Sequence, residues 1–483
     1  MRLSRPRFTL AAFFVVTFLL AFSIPLDRVS RGAVAEPKVL HVAPHGKADA
    51  PGTEAEPLSL TAALAADGPT RPGDTVWLRG GTYPGAFVSG LNGQADAVIT
   101  VRQYPGERAI IDSSPEQTAA LTVLGSWTQY WGFEITSSDP HRRTTAAGSW
   151  PSDLRRGAGV FSKGPHNSFI NLVVHDMADG LGVWAESVGS MVYGNLIYYN
   201  GWEGPDRAHG HGIYTQNQTD QREIGDNIIF GQFSHGIHAY GSSAAFLDNI
   251  TLRGNIVFNN GMLARSGAER EILLGGGVVA GRPVLEDNST YGSQNNLGYG
   301  AGCLNGLVER NYFAGLTPLL LTGCTPVMRN NTFVGPTANL VTAHPNNTYL
   351  AEAPQTGVVT RVRINRYEPE RAQVAIYNWE WRDAVEIDAP AFLREGDVYD
   401  VIDVQDYFGP PTLTRTHRAG DRITIPMTGA RVSIPVGNVP RQPKHSLPEF
   451  GAFIVRERPI PARTEQAART TPSRRVTSGA TKQ

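Results

Sequence analysis

The chain has 483 residues, 18% of them charged against a usual value of about 25%, with Gly 52 and Pro 33 both above ordinary usage. It is therefore rich in turns, yet 41% hydrophobic residues and eight Trp supply a large core and exclude wholesale disorder. Two Cys exclude a disulfide-stapled mini-fold and any Cys-rich zinc module.

At the start of the chain, Arg2, Arg5 and Arg7 precede a long apolar run from Phe8 to Ile24, and Ala33-Val34-Ala35 offers a small-x-small cleavage site before Glu36. Residues 1–35 read as an export signal. The run is 17 residues long, short of the roughly 20 that span a bilayer, so an uncleaved anchor is the alternative. At the other end, residues 459–483 carry five basic groups against Glu465, lack apolar periodicity and read as a disordered basic tail. The body from Glu36 to Arg458 is left at a net charge of about −9, which argues against nucleic acid as a partner.

Of 24 Asn, 20 lie between Asn167 and Asn347, and many open a short β-branched or aromatic phrase. The phrases begin at Asn171, Asn195, Asn227, Asn255, Asn288, Asn311 and Asn331, at intervals of 24, 32, 28, 33, 23 and 20 residues. Such irregular spacing suits rungs joined by loops of varying length rather than a helical repeat. Strands this short cannot bury a face alone, so they stack in parallel at about 4.8 Å, and the Asn amides then form structural ladders along the axis.

In this pattern the sequence resembles the right-handed parallel β-helix proteins of the pectate-lyase-like superfamily, from Val39 to about Asn347. The resemblance implies a solenoid over residues 36–356. It also implies a first strand at VLHVA from Val39, a short capping helix over 57–66 and a first full rung from Pro72 to Tyr83. Such a cap covers strand edges and apolar interior that water would otherwise reach. Over 357–458 the pattern changes to period-2 strands at 358–365, 373–379, 384–387, 397–404, 423–427 and 450–455, separated by Pro/Gly turns. This stretch looks like the small β-sandwich that ends many secreted carbohydrate-active enzymes, irregular further rungs being the alternative. Cys303 and Cys324 fall in matching Gly-Cys phrases, which places them on neighbouring rungs about 5 Å apart, a distance a disulfide accepts.

A register set by inward Val160, Leu181, Val183, Ala185, Ile213, Thr215, Ile237 and Ala239 turns their neighbours outward. Phe161, Lys163, Trp184, Glu186, Tyr214, Gln216, Gln218, His238 and Tyr240 then form one strip. Aromatic faces suit sugar C–H groups and polar side chains suit the hydroxyls, so Lys163, Trp184, Glu186, Tyr214 and Gln216 are candidate substrate-binding residues. The alternative is that the rings cover a folded-back loop. Trp150 and Trp202 sit in long Gly/Pro-rich connections suited to walling a cleft.

His209, His211, His235 and His238 lie within 30 residues. His211 stacks with His235 and Asp179 before the strand, and His238 faces the groove. Structural stacking, acid/base work and metal binding are the three readings, and His209 with His211 is weak evidence for a metal. Hydrolysis would need two carboxylates across the bond, and the strip supplies only Glu186, with Asp179, Glu203 and Asp206 nearby. Lys163 and Glu186 share a column, which makes a surface ion pair.

Elimination from a uronate needs a base, an acid and a group neutralising the carboxylate. His238 and Tyr240, about 7 Å apart on one face, suit the first two roles, and His211 joins them as a candidate catalytic group. Arg265 and Arg270 follow in the next connection, and Arg270 is the candidate neutralising group. Asp139-Pro-His141 resembles part of the alginate C5-epimerase motif, with Arg142 where that motif has a second Asp.

The leading expectation is a secreted or periplasmic lyase of a uronate-containing polysaccharide, acting as a monomer without stable membrane insertion once the signal is removed. No cofactor is expected, calcium being the one the superfamily admits. A hydrolase or a non-catalytic carbohydrate-binding protein on the same fold are the alternatives.

Overall fold

The computed structural model describes residues 36–458, apart from 243–244, 266–268 and 338–339. The segments read as an export signal and as a basic tail lie outside the described residues. From Val39 to Leu350 the chain winds through three stacks of parallel strands. The first has 11 strands, from Val39–Lys47 to Val327–Arg329. The second runs from Gly81–Pro84 to Thr348–Leu350. The third begins at Phe87–Ser89 and passes through Leu121–Val123, Val160–Ser162, Leu181–Val183, Ile213–Thr215 and Ile237–Ala239. The long strands Ser289–Gly300 and Tyr312–Leu321 turn the corner and serve both of the last two stacks.

In-register pairing puts like residues above one another. In the first stack one apolar column runs unbroken from Leu40 through Val101, Phe169, Ile224 and Leu285 to Met328, and its members fill the centre of the coil. The turn into the second stack carries the polar ladder. Each carboxamide nitrogen from Asn195 through Asn227, Asn255, Asn288, Asn311 and Asn331 donates to the next carboxamide oxygen at 2.7–2.9 Å, ending on Asn347. The ladder side chains also take up backbone groups of the turn, so a buried polar column is fully bonded.

Asn171 is a correction. Its rung fills the ladder slot with Leu172, whose N–H donates to the Asn195 carboxamide oxygen at 2.8 Å. Asn171 stands one position earlier, at φ 50°, in the left-handed slot occupied on later rungs by Gly194, Asp226 and Gly254. Asn tolerates that conformation, and its side chain pairs with Asn365 instead.

The capping helix is also shorter than expected. It spans Leu60–Leu64, starts where the Ser59 hydroxyl accepts from Ala62 N–H, and buries Leu60, Ala63 and Leu64 over the end of the coil. Cys303 and Cys324 are disulfide-bonded, with Cα atoms 4.8 Å apart.

After Leu350 the strands are antiparallel. A five-stranded sheet (Val358–Ile364, Arg371–Asn378, Phe450–Glu457, Val398–Asp403, Leu413–Thr416) faces a two-stranded one (Ala384–Asp388, Arg422–Pro426) across a core of Val374, Ile376, Val385, Ile387, Val401 and Phe453. Strand Leu413–Thr416 was not foreseen. The other face of the larger sheet packs on the outside of the second stack, joining Tyr198, Phe230 and Phe258 to Tyr377, Phe450 and Ile454. One side of the coil is thus covered, while the third stack keeps its outer face for a cleft.

Candidate active site

The cleft of about 910 Å³ lies over the third stack. Its floor is set by alternation within three-residue strands. Val160, Leu181, Ile213 and Ile237 pair rung to rung and point inward, so Phe161, Gly182, Tyr214 and His238 form the outward column. Gly182 leaves room there for Trp184, whose indole nitrogen lies 3.4 Å from where a Cβ would be. Trp184 therefore folds between Phe161 and Tyr214, with ring centroids 5.4 and 5.3 Å away. The walls come from connections: Trp150 and Arg156 from one, Trp202, Arg207 and His209 from the antiparallel pair at 202–209, and Glu269 and Arg270 from the entry to the strand Arg270–Gly276. Neither the Trp184 nor the Trp202 indole N–H has a hydrogen-bond partner among the described residues.

At the centre stand three imidazoles. His211 and His235 stack at 5.2 Å, and His238 Nδ1 lies 3.0 Å from His211 Nε2. Burial, reinforced by the neighbouring His238, pulls His211 well below the ordinary imidazole range. Burial, with His235 and Arg270 close by, does the same to His238. His235 is brought down to about 3 by burial and by Arg270. Asp179 moves the other way: burial raises it to about 6, although its carboxylate accepts the His211 backbone N–H at 2.8 Å. Burial lifts Tyr214 to about 12 and lowers Arg156 to about 9, so at neutral pH the phenol is protonated and the guanidinium charged.

Of the residues singled out in the sequence, His238, His211, Arg270, Trp184 and Tyr214 line the cleft. Tyr240 packs on His238 with ring centroids 5.1 Å apart but does not line the cavity. Gln216 is buried and donates to the Tyr240 carbonyl. Lys163 and Glu186 form an exposed ion pair at 3.5 Å outside the lining. The Arg265 backbone N–H donates to the Glu203 carboxylate, and neither residue is in the lining. Asp139 and His141 bond to each other, and Arg142 is fully buried between Asp176 and the 436–438 segment. Arg156, Glu269 and Ser234 were not foreseen as site residues, because they belong to connections without periodicity.

Calcium does not fit this centre. It takes six to eight oxygen ligands, whereas the central cluster is nitrogen. Of the two carboxylates in the lining, Asp179 is engaged with the His211 amide and Glu269 with the Ser234 hydroxyl.

Residues 40–276 match the family model of the Pel9A-like right-handed β-helix region. The coil is a right-handed parallel β-helix, similar over these residues to the Pel9A-like helix. The solved structure of pectate lyase Pel9A is similar at 18% identity over 66% of this chain and 80% of that one, with a TM-score of 0.50. An alginate lyase from a Paenibacillus species is similar at 16% identity, covering 65% of this chain and 98% of that one, with a TM-score of 0.42. A GH136 lacto-N-biosidase from Eubacterium ramulus stands at 15% identity, 62% and 60% coverage and a TM-score of 0.39. At 18% identity the likeness to Pel9A shows the fold alone. No curated protein sequence matches the chain.

Proposed function

We infer that the protein is an exported enzyme that cleaves a uronate-containing polysaccharide by β-elimination. The observation that carries this reading is the set of strongly perturbed titratable groups, Asp179, His211 and His238, at the centre of an aromatic-walled cleft. A surface built only to bind sugars has no need of them. Arg156 and Arg270 in the lining, with Arg207 at the rim, supply positive charge for a sugar carboxylate even though the body as a whole is acidic. Aromatic faces at Trp184, Phe161 and Trp150 suit the pyranose rings. Pel9A and the Paenibacillus protein are lyases by name, which agrees with this reading.

A hydrolase on the same fold is the competing reading, and Asp179 raised to about 6 suits a general acid. Purified protein incubated with a panel of polyuronates and neutral polysaccharides, read by unsaturated-uronate absorbance and by reducing ends, separates the two. Both signals rising together on a polyuronate is the expected outcome. Reducing ends alone would make the protein a hydrolase, and neither signal on any polymer would leave a binding protein.

A further inference from the structure

The three-imidazole cluster has the look of a metal site, with one ligand atom from each of His211, His235 and His238 within 4.8 Å of the others. Its hydrogen bonds say otherwise. The backbone N–H of His235 donates to His211 Nδ1 at 3.2 Å. An amide nitrogen can only donate, so Nδ1 must hold a lone pair, and a neutral His211 carries its proton on Nε2. That proton points at His238 Nδ1, 3.0 Å away, which therefore accepts. His238 in turn carries its own proton on Nε2. At His235 the Nδ1 meets both the Arg270 backbone N–H at 3.1 Å and Glu269 Oε2 at 3.2 Å, a donor and an acceptor, so that ring takes no part in fixing the tautomers of the other two.

We propose that His238 is a neutral hydrogen-bond donor to the sugar carboxylate, its tautomer imposed by the backbone through His211, and is neither the proton-abstracting base nor a metal ligand. His211 is the positioning residue of this pair. The proposal rests on the elimination reading for its substrate, but not for its geometry.

Adding a proton to His238 would set two N–H groups against each other, and adding one to His211 would set Nδ1–H against the amide of His235. The groups that face His238 agree. His235 precedes and Tyr240 follows it on its own rung, Tyr214 and His211 lie on the preceding rung, Arg270 begins the next strand, and Arg207 adds positive charge from the wall. The Glu269 carboxylate on that side meets the His235 ring, and burial opposes a cation on His238. A metal on His211 Nε2 would likewise require a proton on Nδ1 aimed at an acceptor, where the structure has a donor.

The reaction then divides as follows. The Asp179 carboxylate takes the proton from C5 of the uronate. The C–H electrons form the C4–C5 double bond as the C4–O bond breaks, and the departing oxygen takes a proton from the Tyr214 hydroxyl or from water. During this step negative charge builds on the sugar carboxylate, where the His238 Nε2–H strengthens its bond. No oxidant or reductant is needed. A neutral donor to a developing oxyanion is an established use of imidazole.

The test is nitrogen NMR of the full-length protein with ¹⁵N-labelled histidine rings, assigned by His211→Asn and His238→Gln. Both rings are expected as Nε2–H tautomers without titration between pH 5 and 9, and unchanged by equimolar Zn²⁺. An Nδ1–H tautomer, an imidazolium in that range or a zinc-induced shift of these rings would overturn the proposal. On a polymer that is turned over, His238→Gln, which keeps an N–H near the ε position, is expected to lose less than tenfold in kcat/KM. His238→Ala is expected to lose at least about a hundredfold. Equal losses in the two variants would return His238 to the role of base. Because the NMR experiment uses no substrate, failure of the elimination reading would leave its result standing.

Discussion

Single residues show most clearly where alternation carries information. The outward positions Phe161, Trp184, Tyr214 and His238 follow from the inward apolar residues beside them, so the floor of the cleft is legible in three-residue strands. Asp179 lies in the turn before its strand and is legible through the rung alignment with His211 and His235, whereas Arg156 lies in a long connection where no period exists to read. Trp184 tests the floor. Its stacking surface binds substrate in ground and transition states alike, so Trp184→Ala is expected to raise KM about tenfold with kcat within about threefold. Steady-state kinetics on the identified polymer would measure this. His175 tests the opposite side of the coil. Its two ring nitrogens meet Asp176 Oδ2 at 2.8 Å and Glu134 Oε1 at 3.0 Å. Burial opposes its charge, but those bonds outweigh it and hold His175 at about 9. A pKa raised above the unfolded value near 6.5 contributes stability that is complete below pH 6.5 and lost as pH rises through 9. His175→Ala leaves two buried carboxylates short of a partner and is expected to cost about 3–5 kcal/mol at pH 6. Thermal unfolding from pH 6 to 9.5 should also show a flatter pH dependence in the variant than in the parent.

The ladder belongs to the scale of the element. Asn repeats are visible because one slot per rung demands a carboxamide that both donates and accepts. The error at Asn171 arises because the same turn has a second slot that also favours Asn, the left-handed position one residue earlier. The two slots differ in consequence. Asn255→Ala removes bonds to Asn288 and the Ile224 carbonyl, and withdraws the acceptor of the Asn227 N–H and side chain. Each buried group left without a partner costs about 1–3 kcal/mol, so a loss of at least ~3 kcal/mol is expected. Asn171→Gly keeps a residue suited to positive φ and gives up the pairing with Asn365 and a hydrogen bond to the Glu368 carboxylate, about 1–2 kcal/mol. Urea unfolding of the two variants side by side would measure the difference, and equal losses would mean that the ladder bonds are not what holds the rungs.

At the scale of the whole molecule, the C-terminal strands were legible but their docking was not. The clue is present in the second stack: Leu196–Tyr198, Ile228–Phe230 and Ile256–Phe258 are apolar at all three positions and buried on both faces. A coil with one face in water would alternate there. The same reasoning explains why all eight residues of Arg371–Asn378 are buried, since that strand is covered by the coil on one side and by the smaller sheet on the other. The described residues from Pro37 to Arg458 form one compact unit. Ending it at residue 357 is expected to expose the Tyr198–Phe230–Phe258 stack and yield an aggregating product, whereas the full chain unfolds in one transition by calorimetry. This covering also determines where chemistry can occur, because it leaves the third stack as the outer face with a cleft. The most direct test of elimination in that cleft is mass spectrometry of oligosaccharides released from a polyuronate in H₂¹⁸O. Elimination predicts new chain ends lighter than hydrolytic ones by one water and free of ¹⁸O at the cleaved bond; products carrying one ¹⁸O at each new reducing end would contradict it.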